Sequence, residues 1–382
     1  MTGTLPTALA TGFPDARRAR SAEPEAPCER EAPCEPEAPC EPEAPCGREE
    51  SVGVLDIPGV YRRPVPPPNA TLVERVDELT DAWARDEIDL YPPDWAGEFR
   101  DFQLGRSVVL CHPGAPTLDH LMAASRLLLA ENAVDDMYCE DHGGSPHGLA
   151  ARLLTAQSAL HPTVHPPPYG RQWRAALDAE APLRAYRSSM AYFRRLASAA
   201  QADREVHDLA KLHLGYLAEA AHKIDSSPPP VWSYLVIRQM NSFRPCLSVA
   251  DAIDGYEIPP QLHAHESVQR MLALAGLATT LANDLYSYGK EHDLPRFHPN
   301  LPTCVAEEEN VSKEEAFHRS VEIHNDVMYQ LEDASATTAT LPVAHAARYV
   351  ASVNAWVDGS HEWHRTNIAR YHLPPFLKGT PS

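Results

Sequence analysis

The sequence predicts an all-α fold, and three observations carry that expectation. From Asn69 to about Tyr371, apolar residues recur at the three-to-four-residue spacing of amphipathic helices. No stretch alternates apolar and polar residues between hairpin turns, as a half-buried strand would. Two clusters rich in oxygen ligands, residues 135–141 (Asp-Asp-Met-Tyr-Cys-Glu-Asp) and 283–291 (Asn-Asp-Leu-Tyr-Ser-Tyr-Gly-Lys-Glu), each follow a long apolar stretch. A helical barrel around a cavity would let two such distant clusters face each other.

The elements follow in order. Residues 1–50 form a tail in which Glu-X-Glu-Ala-Pro-Cys recurs with period six, setting Cys28, Cys34, Cys40 and Cys46 at equal steps. This tail holds 11 acidic and 5 basic residues. Proline and like charge at that density prevent a core, so disorder is expected there, and 51–382 is expected to be one helical domain. Pro64 to Pro68 marks the entry to the folded body. Leu72, Val76, Leu79 and Trp83 make one stripe behind a cap at Asn69, and Tyr91-Pro92-Pro93 breaks it. Thr117 opens a helix whose Leu118, Leu121, Met122, Ser125, Leu128, Leu129 and Asn132 lead into Asp135, with Gly143-Gly144-Ser145-Pro146 as its end. Further helical patterns cover about 150–160, 170–200, 203–224, 231–252 and 264–291. Ser312 with Glu315 reads as a capping box opening the next helix, and a last one runs from about Pro342 to Tyr371.

Bulk composition narrows the function. The chain has 382 residues, is 43% hydrophobic and carries a formal charge of −20. An acidic body argues against nucleic acid as a partner, because phosphate backbones need a basic face. No run approaches the ~18 apolar residues of a membrane span. Met1 to Arg20 lacks a basic segment followed by an apolar one, so no secretory signal is expected. Beyond the tail, Cys111, Cys139, Cys246 and Cys304 are scattered and form no disulfide framework, which makes a reducing cytoplasm the default.

In the second cluster Asn283, Ser287 and Glu291 are spaced i, i+4, i+8, which stacks all three on one face of a helix. An amide oxygen, a hydroxyl and a carboxylate in a row suit Mg²⁺, which takes oxygen ligands and usually shares its shell with substrate phosphates. An apolar helix half, Met271 to Ala282, gains nothing by turning into stacked oxygen ligands unless they bind something.

These clusters resemble the Asp-rich and NSE metal motifs of the class I terpene cyclases, and 283–291 fits (N/D)D-X-X-(S/T)-X-X-X-E at every defining position. Arg238 stands 45 residues before Asn283, in the place of the family's diphosphate-sensing arginine. Arg370-Tyr371 follows Glu291 at the spacing of the family's Arg-Tyr pair. The resemblance spans about 51–375. A narrower likeness, to the actinobacterial 2-methylisoborneol synthases, lies in 229–235, 238–246, 321–325, 362–365 and the Pro-rich extension. That subfamily cyclises 2-methylgeranyl diphosphate; a relative, 2-methylenebornane synthase, ends in deprotonation instead.

The resemblance implies a class I helical barrel and roles position by position. Asp135, Glu140, Asn283, Ser287 and Glu291 would hold metal, with three Mg²⁺ expected alongside bound diphosphate. Asp136 would orient Arg238. Arg238, Lys290, Arg370 and Tyr371 would donate to the diphosphate, the arginines as forks and the lysine as a point charge. After ionisation the cation needs aromatic faces, for which Trp95, Phe99, Phe102, Tyr138, Trp232, Phe243 and Trp363 are the candidates. It also implies an upstream S-adenosylmethionine-dependent geranyl diphosphate C-methyltransferase, and it allows a homodimer.

Rival readings are weaker. A chain-elongating prenyltransferase normally carries two DDXXD motifs, and a class II cyclase a DXDD motif that is absent here. His207-Asp208 echoes the HD metal phosphohydrolases, on one dipeptide alone. A non-catalytic helical module recruited through the acidic repeat is the remaining alternative.

Overall fold

The computed structural model describes residues 53–91, 100–139, 148–161, 163–292 and 297–377. The readings of the tail and of the 143–146 helix end, together with those of Trp95, Phe99 and Glu140, lie outside these residues. Among the described residues every regular element is a helix.

Helix α1, Ala70–Ala82, starts as expected: the Asn69 side chain accepts from the Leu72 N–H at 3.1 Å. It runs into a wide π-type turn, Trp83–Ile88, closed by Asp89 at φ 51°. Helix α2, Leu104–Cys111, leads to α3, Leu118–Val134, which is buried over most of its circumference. α3 does not stop at the acidic cluster but widens into a second π-type turn, Asp135–Cys139. Such turns insert a residue into the helical register and recur at functional sites.

Next come α4, Leu149–Leu160, α5, Tyr169–Ala179, and α6, Ala181–Phe193. The pattern read as one helix over 170–200 is thus two. Glu180 is extended, and Pro182, which lacks an amide proton, is accommodated in the first turn of α6. α7, Ala199–Asp225, opens on a reciprocal capping box between Ser198 and Gln201. The 231–252 pattern divides into α8, Val231–Met240, α9, Arg244–Ser248, and α10, Ala250–Ile253. Its break at 241–243 precedes Pro245, again in a first turn.

After the short α11, Pro260–His263, come α12, Glu266–His292, and α13, Leu301–Glu309. α14, Lys313–Ala339, shows one half of the capping box expected at its start, the Ser312 side chain accepting from the Glu315 N–H. α15, Ala346–Thr366, is the last long helix.

Neighbouring helices form a ring: α2 against α3, the Asp135–Cys139 turn against α7, α7 against α8 and α9, both of these against α12, α12 against α15, and α15 back onto α2. The closing contact requires Gly359, where a Cβ would stand 2.4 Å from the Leu110 carbonyl oxygen. One apolar core lies around α3, α6 and α7, and a second around α12, α14 and α15.

One buried acid gives the fold a defined pH response. Glu205 on α7 is pushed up to about 8 by burial, with Asp208 adding to the effect. A folded pKa above the unfolded value contributes stability that is present below the unfolded value, about 4.3, and is lost as pH rises toward 8. Glu205→Gln removes this titration, so the melting temperature of the variant minus that of the parent is expected to increase between pH 5 and pH 8. Calorimetry at both pH values checks this, and parallel curves would refute it.

Candidate active site

The helical ring encloses a cavity of about 240 Å³. Asp135 and Asp136 enter from the end of α3, Arg238 from α8, Asn283, Ser287, Lys290 and Glu291 from α12, and Arg370 with Tyr371 from the segment after α15. Phe102, Phe243 and Trp363 line it as well. Gly289 allows the closing segment to lie close, since a Cβ there would be 2.2 Å from the His372 carbonyl oxygen. That approach sets Tyr371 beside α12, its hydroxyl accepting from Asn283 Nδ2 at 3.4 Å.

Asn283 is held from two sides. His364 Nδ1 faces the Ser360 carbonyl at 2.7 Å, and a carbonyl only accepts, so this nitrogen carries the proton. Nε2 then accepts from Asn283 Nδ2 at 3.1 Å. Burial lowers His364 to about 4, in keeping with a neutral ring. The amide oxygen of Asn283 turns to Arg238 Nη2 at 3.3 Å.

Arg238 is oriented by Asp284, not by Asp136 as the sequence reading had it. Arg238 Nη2 donates to Asp284 Oδ1 at 2.5 Å. Asp284 Oδ2 accepts from the Tyr234 hydroxyl at 2.8 Å and the Leu301 N–H at 3.3 Å. The physical reason is local. Tyr234 and Arg238 are one turn apart on α8 and meet the second residue of the α12 motif. Burial opposes the Arg238 charge, but Asp284 outweighs it and the pKa is raised. Asp136 instead accepts from the Tyr91 hydroxyl at 3.2 Å. Its carboxylate acts on Arg370: burial again works against the charge, while Tyr371 and Asp136 raise the pKa. The Arg370 guanidinium also lies 3.9 Å above the Phe102 ring.

Glu291 accepts from Asn300 Nδ2 at 2.7 Å, with His298 Nε2 at 3.8 Å. Among the described residues no three His, Cys, Asp or Glu side chains cluster closely enough to hold a metal by themselves. The donor set fits Mg²⁺ in another way. Ser287 Oγ, between Asn283 and Glu291 on the same face, is fully buried without a hydrogen-bond partner. A buried orphan oxygen flanked by an amide oxygen and a carboxylate is what a hard cation would satisfy, with phosphate oxygens completing the shell. Arg238 Nε and Arg370 Nε are buried donors without partners too, which fits an anion in the same cavity.

Two aromatic expectations are corrected. Trp232 is 70% exposed: it lies two residues from buried Tyr234, and that spacing puts the two on opposite faces of α8. Tyr138 is not part of the cavity lining; its hydroxyl donates to Glu180 and its ring is covered by the Arg152 guanidinium. The sequence reading missed Tyr91, Tyr216 and Trp356, which do line the cavity, and the polar Glu131, Glu219 and His298. None has a motif; Tyr91 reads in sequence as part of a helix break, His298 falls between predicted helices, and the others read as ordinary core or helix residues. The HD alternative fails on geometry. The His207 side chain is 63% exposed and faces Asp203, whereas Asp208 is buried against Lys211 and Arg244.

Comparison with known proteins supports the same chemistry. The family described as terpene synthase family 2, C-terminal metal binding, matches residues 127–330. The 2-methylisoborneol synthase of Streptomyces ambofaciens is 53% identical over 321 residues, covering 84% of this chain and 73% of that protein. The 2-methylisoborneol synthase of Saccharopolyspora erythraea is 38% identical over 314 residues, covering 80% and 88%. A crystal structure of 2-methylisoborneol synthase from Streptomyces coelicolor A3(2), in complex with Mg²⁺ and 2-fluoroneryl diphosphate, aligns with a TM-score of 0.82 at 51% identity. That alignment covers 84% of this chain and 99% of that one.

Proposed function

This chain belongs to the class I terpene synthase family, and from that premise we propose that it ionises 2-methylgeranyl diphosphate and cyclises the C11 cation to 2-methylisoborneol, releasing diphosphate. The observation that carries the reading is the pairing of an orphan Ser287 hydroxyl with two orphan guanidinium donors in one cavity. The first asks for a cation, the second for an anion, and a magnesium diphosphate supplies both. The high identity to 2-methylisoborneol synthases, one of them bound to Mg²⁺ and a fluorinated prenyl diphosphate, supports the substrate class.

Asp135, Asn283, Ser287 and Glu291, with Glu140, would hold the metal, three ions in the complete complex. When bound, Mg²⁺ neutralises charge on the leaving diphosphate. Arg238 and Arg370 would present guanidinium forks, Lys290 a point charge and Tyr371 a hydroxyl to the oxygens on which charge grows as the allylic C–O bond breaks. Asp284 holds the first of these forks and Asp136 helps keep the second charged.

Direct six-ring closure is forbidden by the trans C2–C3 bond. Diphosphate therefore recaptures the cation at C3, the tertiary ester rotates, and a second ionisation allows closure to a terpinyl-type and then a bornyl-type cation. Phe102, Phe243, Trp356 and Trp363 face this cation, each stabilising it by about 0.5–2 kcal/mol without reacting with it. Water capture ends in the alcohol; proton loss, with diphosphate as base, ends in an alkene as in 2-methylenebornane synthase.

The C11 substrate requires an upstream S-adenosylmethionine-dependent C-methyltransferase acting on geranyl diphosphate. No helix among the described residues is long and apolar enough to cross a membrane; a cytoplasmic location and a homodimer complete the proposal. Incubation with geranyl, 2-methylgeranyl and farnesyl diphosphates, read by gas chromatography–mass spectrometry, tests it. The C11 substrate is expected to give the bicyclic alcohol as the main product. A preference for farnesyl diphosphate would overturn the C11 assignment.

A further inference from the structure

Beside the main cavity lies a second pocket of about 10 Å³. One water molecule needs roughly 10–15 Å³ by this measure, together with polar partners. The pocket shares Ser107, Leu128 and Trp356 with the main cavity, so the two adjoin at these side chains. Most of its remaining lining is apolar, but Cys111, His112, Glu205 and Cys246 also reach it. Glu205 is 1% exposed, and its Oε2 is a fully buried acceptor with no hydrogen-bond partner. A buried polar atom left unpaired is costly, and a water in the pocket would remove that cost. Cys246 links the two spaces: its thiol donates to Glu131 Oε2 at 3.8 Å, and Glu131 lines the main cavity. The ionising residues described above make no use of Glu205, Glu131 or Cys246.

We infer that the pocket at Glu205 binds a single water molecule, kept beside the cavity as the nucleophile that captures the bornyl-type cation, so that this site sets the ratio of alcohol to alkene. The inference rests on the terpenoid reading above and names the source of its last reactant. A lone pair of the water oxygen forms the new C–O bond to the cationic carbon. An O–H bond of the resulting oxonium then breaks, its electron pair stays on oxygen, and the proton passes to the diphosphate already released in the cavity.

The charge state of the wall suits this role. Burial pushes Glu205 up to about 8 and Glu131 well above the usual carboxyl range, with Asp208 adding to the first and Glu205 to the second. Glu205 is mainly the neutral acid near pH 7. A neutral acid still hydrogen-bonds water. It does not present the carboxylate that would trap the cation as an ester or take its proton early.

The test compares Glu205→Leu, Glu205→Gln and Ser107→Val with the parent, using 2-methylgeranyl diphosphate and reading alcohol as a fraction of all cyclic products, a ratio independent of rate. Glu205→Leu removes the water's partner, and Ser107→Val fills the shared wall. Each is expected to lower the alcohol fraction at least about fivefold, with alkenes in its place. Glu205→Gln keeps a neutral hydrogen-bonding group and is expected to retain the parent ratio within about twofold. If Glu205→Leu does not fold, Ser107→Val decides alone. An alcohol-forming parent whose ratio survives the leucine and valine changes would overturn the water site and leave the cyclase reading standing. A parent that makes cyclic alkene and no alcohol would overturn the water site and the 2-methylisoborneol assignment, and a parent that makes no cyclic product would overturn the cyclase reading itself.

Discussion

Replacing Glu291 with alanine is expected to lower diphosphate release from 2-methylgeranyl diphosphate by roughly 10²–10³-fold, the cost of removing one preorganised charge-stabilising group from a water-poor site. Glu291 supplies the only formal charge in the row formed with Asn283 and Ser287 on α12. The other two are a neutral amide already engaged with His364 and Arg238 and a hydroxyl that is orphaned in the cavity wall. Without the carboxylate the row retains no anionic ligand, and the diphosphate would face Arg238 and Arg370 without its counter-cation at this wall. The fold should tolerate the change, because Glu291 has polar partners at the cavity edge, Asn300 and His298, rather than an apolar surround. Raising Mg²⁺ is expected to recover part of the rate, as lost affinity rather than lost geometry would. Steady-state diphosphate release across a Mg²⁺ titration checks this. Turnover within twofold of the parent would remove Glu291 from the metal site.

Asp284→Ala is expected to be more damaging to the fold, by about 3–5 kcal/mol, because it leaves the buried Arg238 charge without its partner. The Asp284 carboxylate is tied to Arg238, Tyr234 and the Leu301 N–H at once, all in the interior. An exposed pair such as Arg75 with Glu78 sits in solvent and contributes about 0–1 kcal/mol. Urea denaturation should show the midpoint falling for Asp284→Ala and hardly moving for Glu78→Ala. Activity should fall with the first as well, since the Arg238 fork loses the group that aims it. Equal midpoints for the two variants would contradict the clamp.

The helices most plainly visible in the sequence are those with a cap or a ligand motif. α1 and α14 announce themselves through their caps at Asn69 and Ser312, and α12 through its apolar half followed by the oxygen row. α2 is buried on nearly every side, so it has no apolar stripe to count, and it went unread. α5 with α6, and α8 with α9, were merged because proline in a first turn restarts a helix without disturbing the three-to-four-residue period.

The site divides along a similar line. Asn283, Ser287 and Glu291 are singled out by residue type and spacing, and Asp135, Arg238, Lys290, Arg370 and Tyr371 by the resemblance to the cyclase motifs; all eight line one cavity. The aromatic wall was hidden because a ring facing a cavity and a ring filling a core have the same sequence signature. Trp232 was therefore chosen and Trp356 overlooked. Partnership was also out of reach: whether Asp136 or Asp284 meets Arg238 depends on how α8 lies against α12, which no one-dimensional pattern records.

The central claim is that this cavity uses Mg²⁺ to expel diphosphate and closes the resulting cation into a ring. The most direct measurement counts diphosphate released against cyclic C11 product from 2-methylgeranyl diphosphate, with Mg²⁺ and after chelation. One diphosphate per cyclic product, abolished by chelator and restored by Mg²⁺, is the predicted result. Release that persists without metal, or orthophosphate in place of diphosphate, would contradict it.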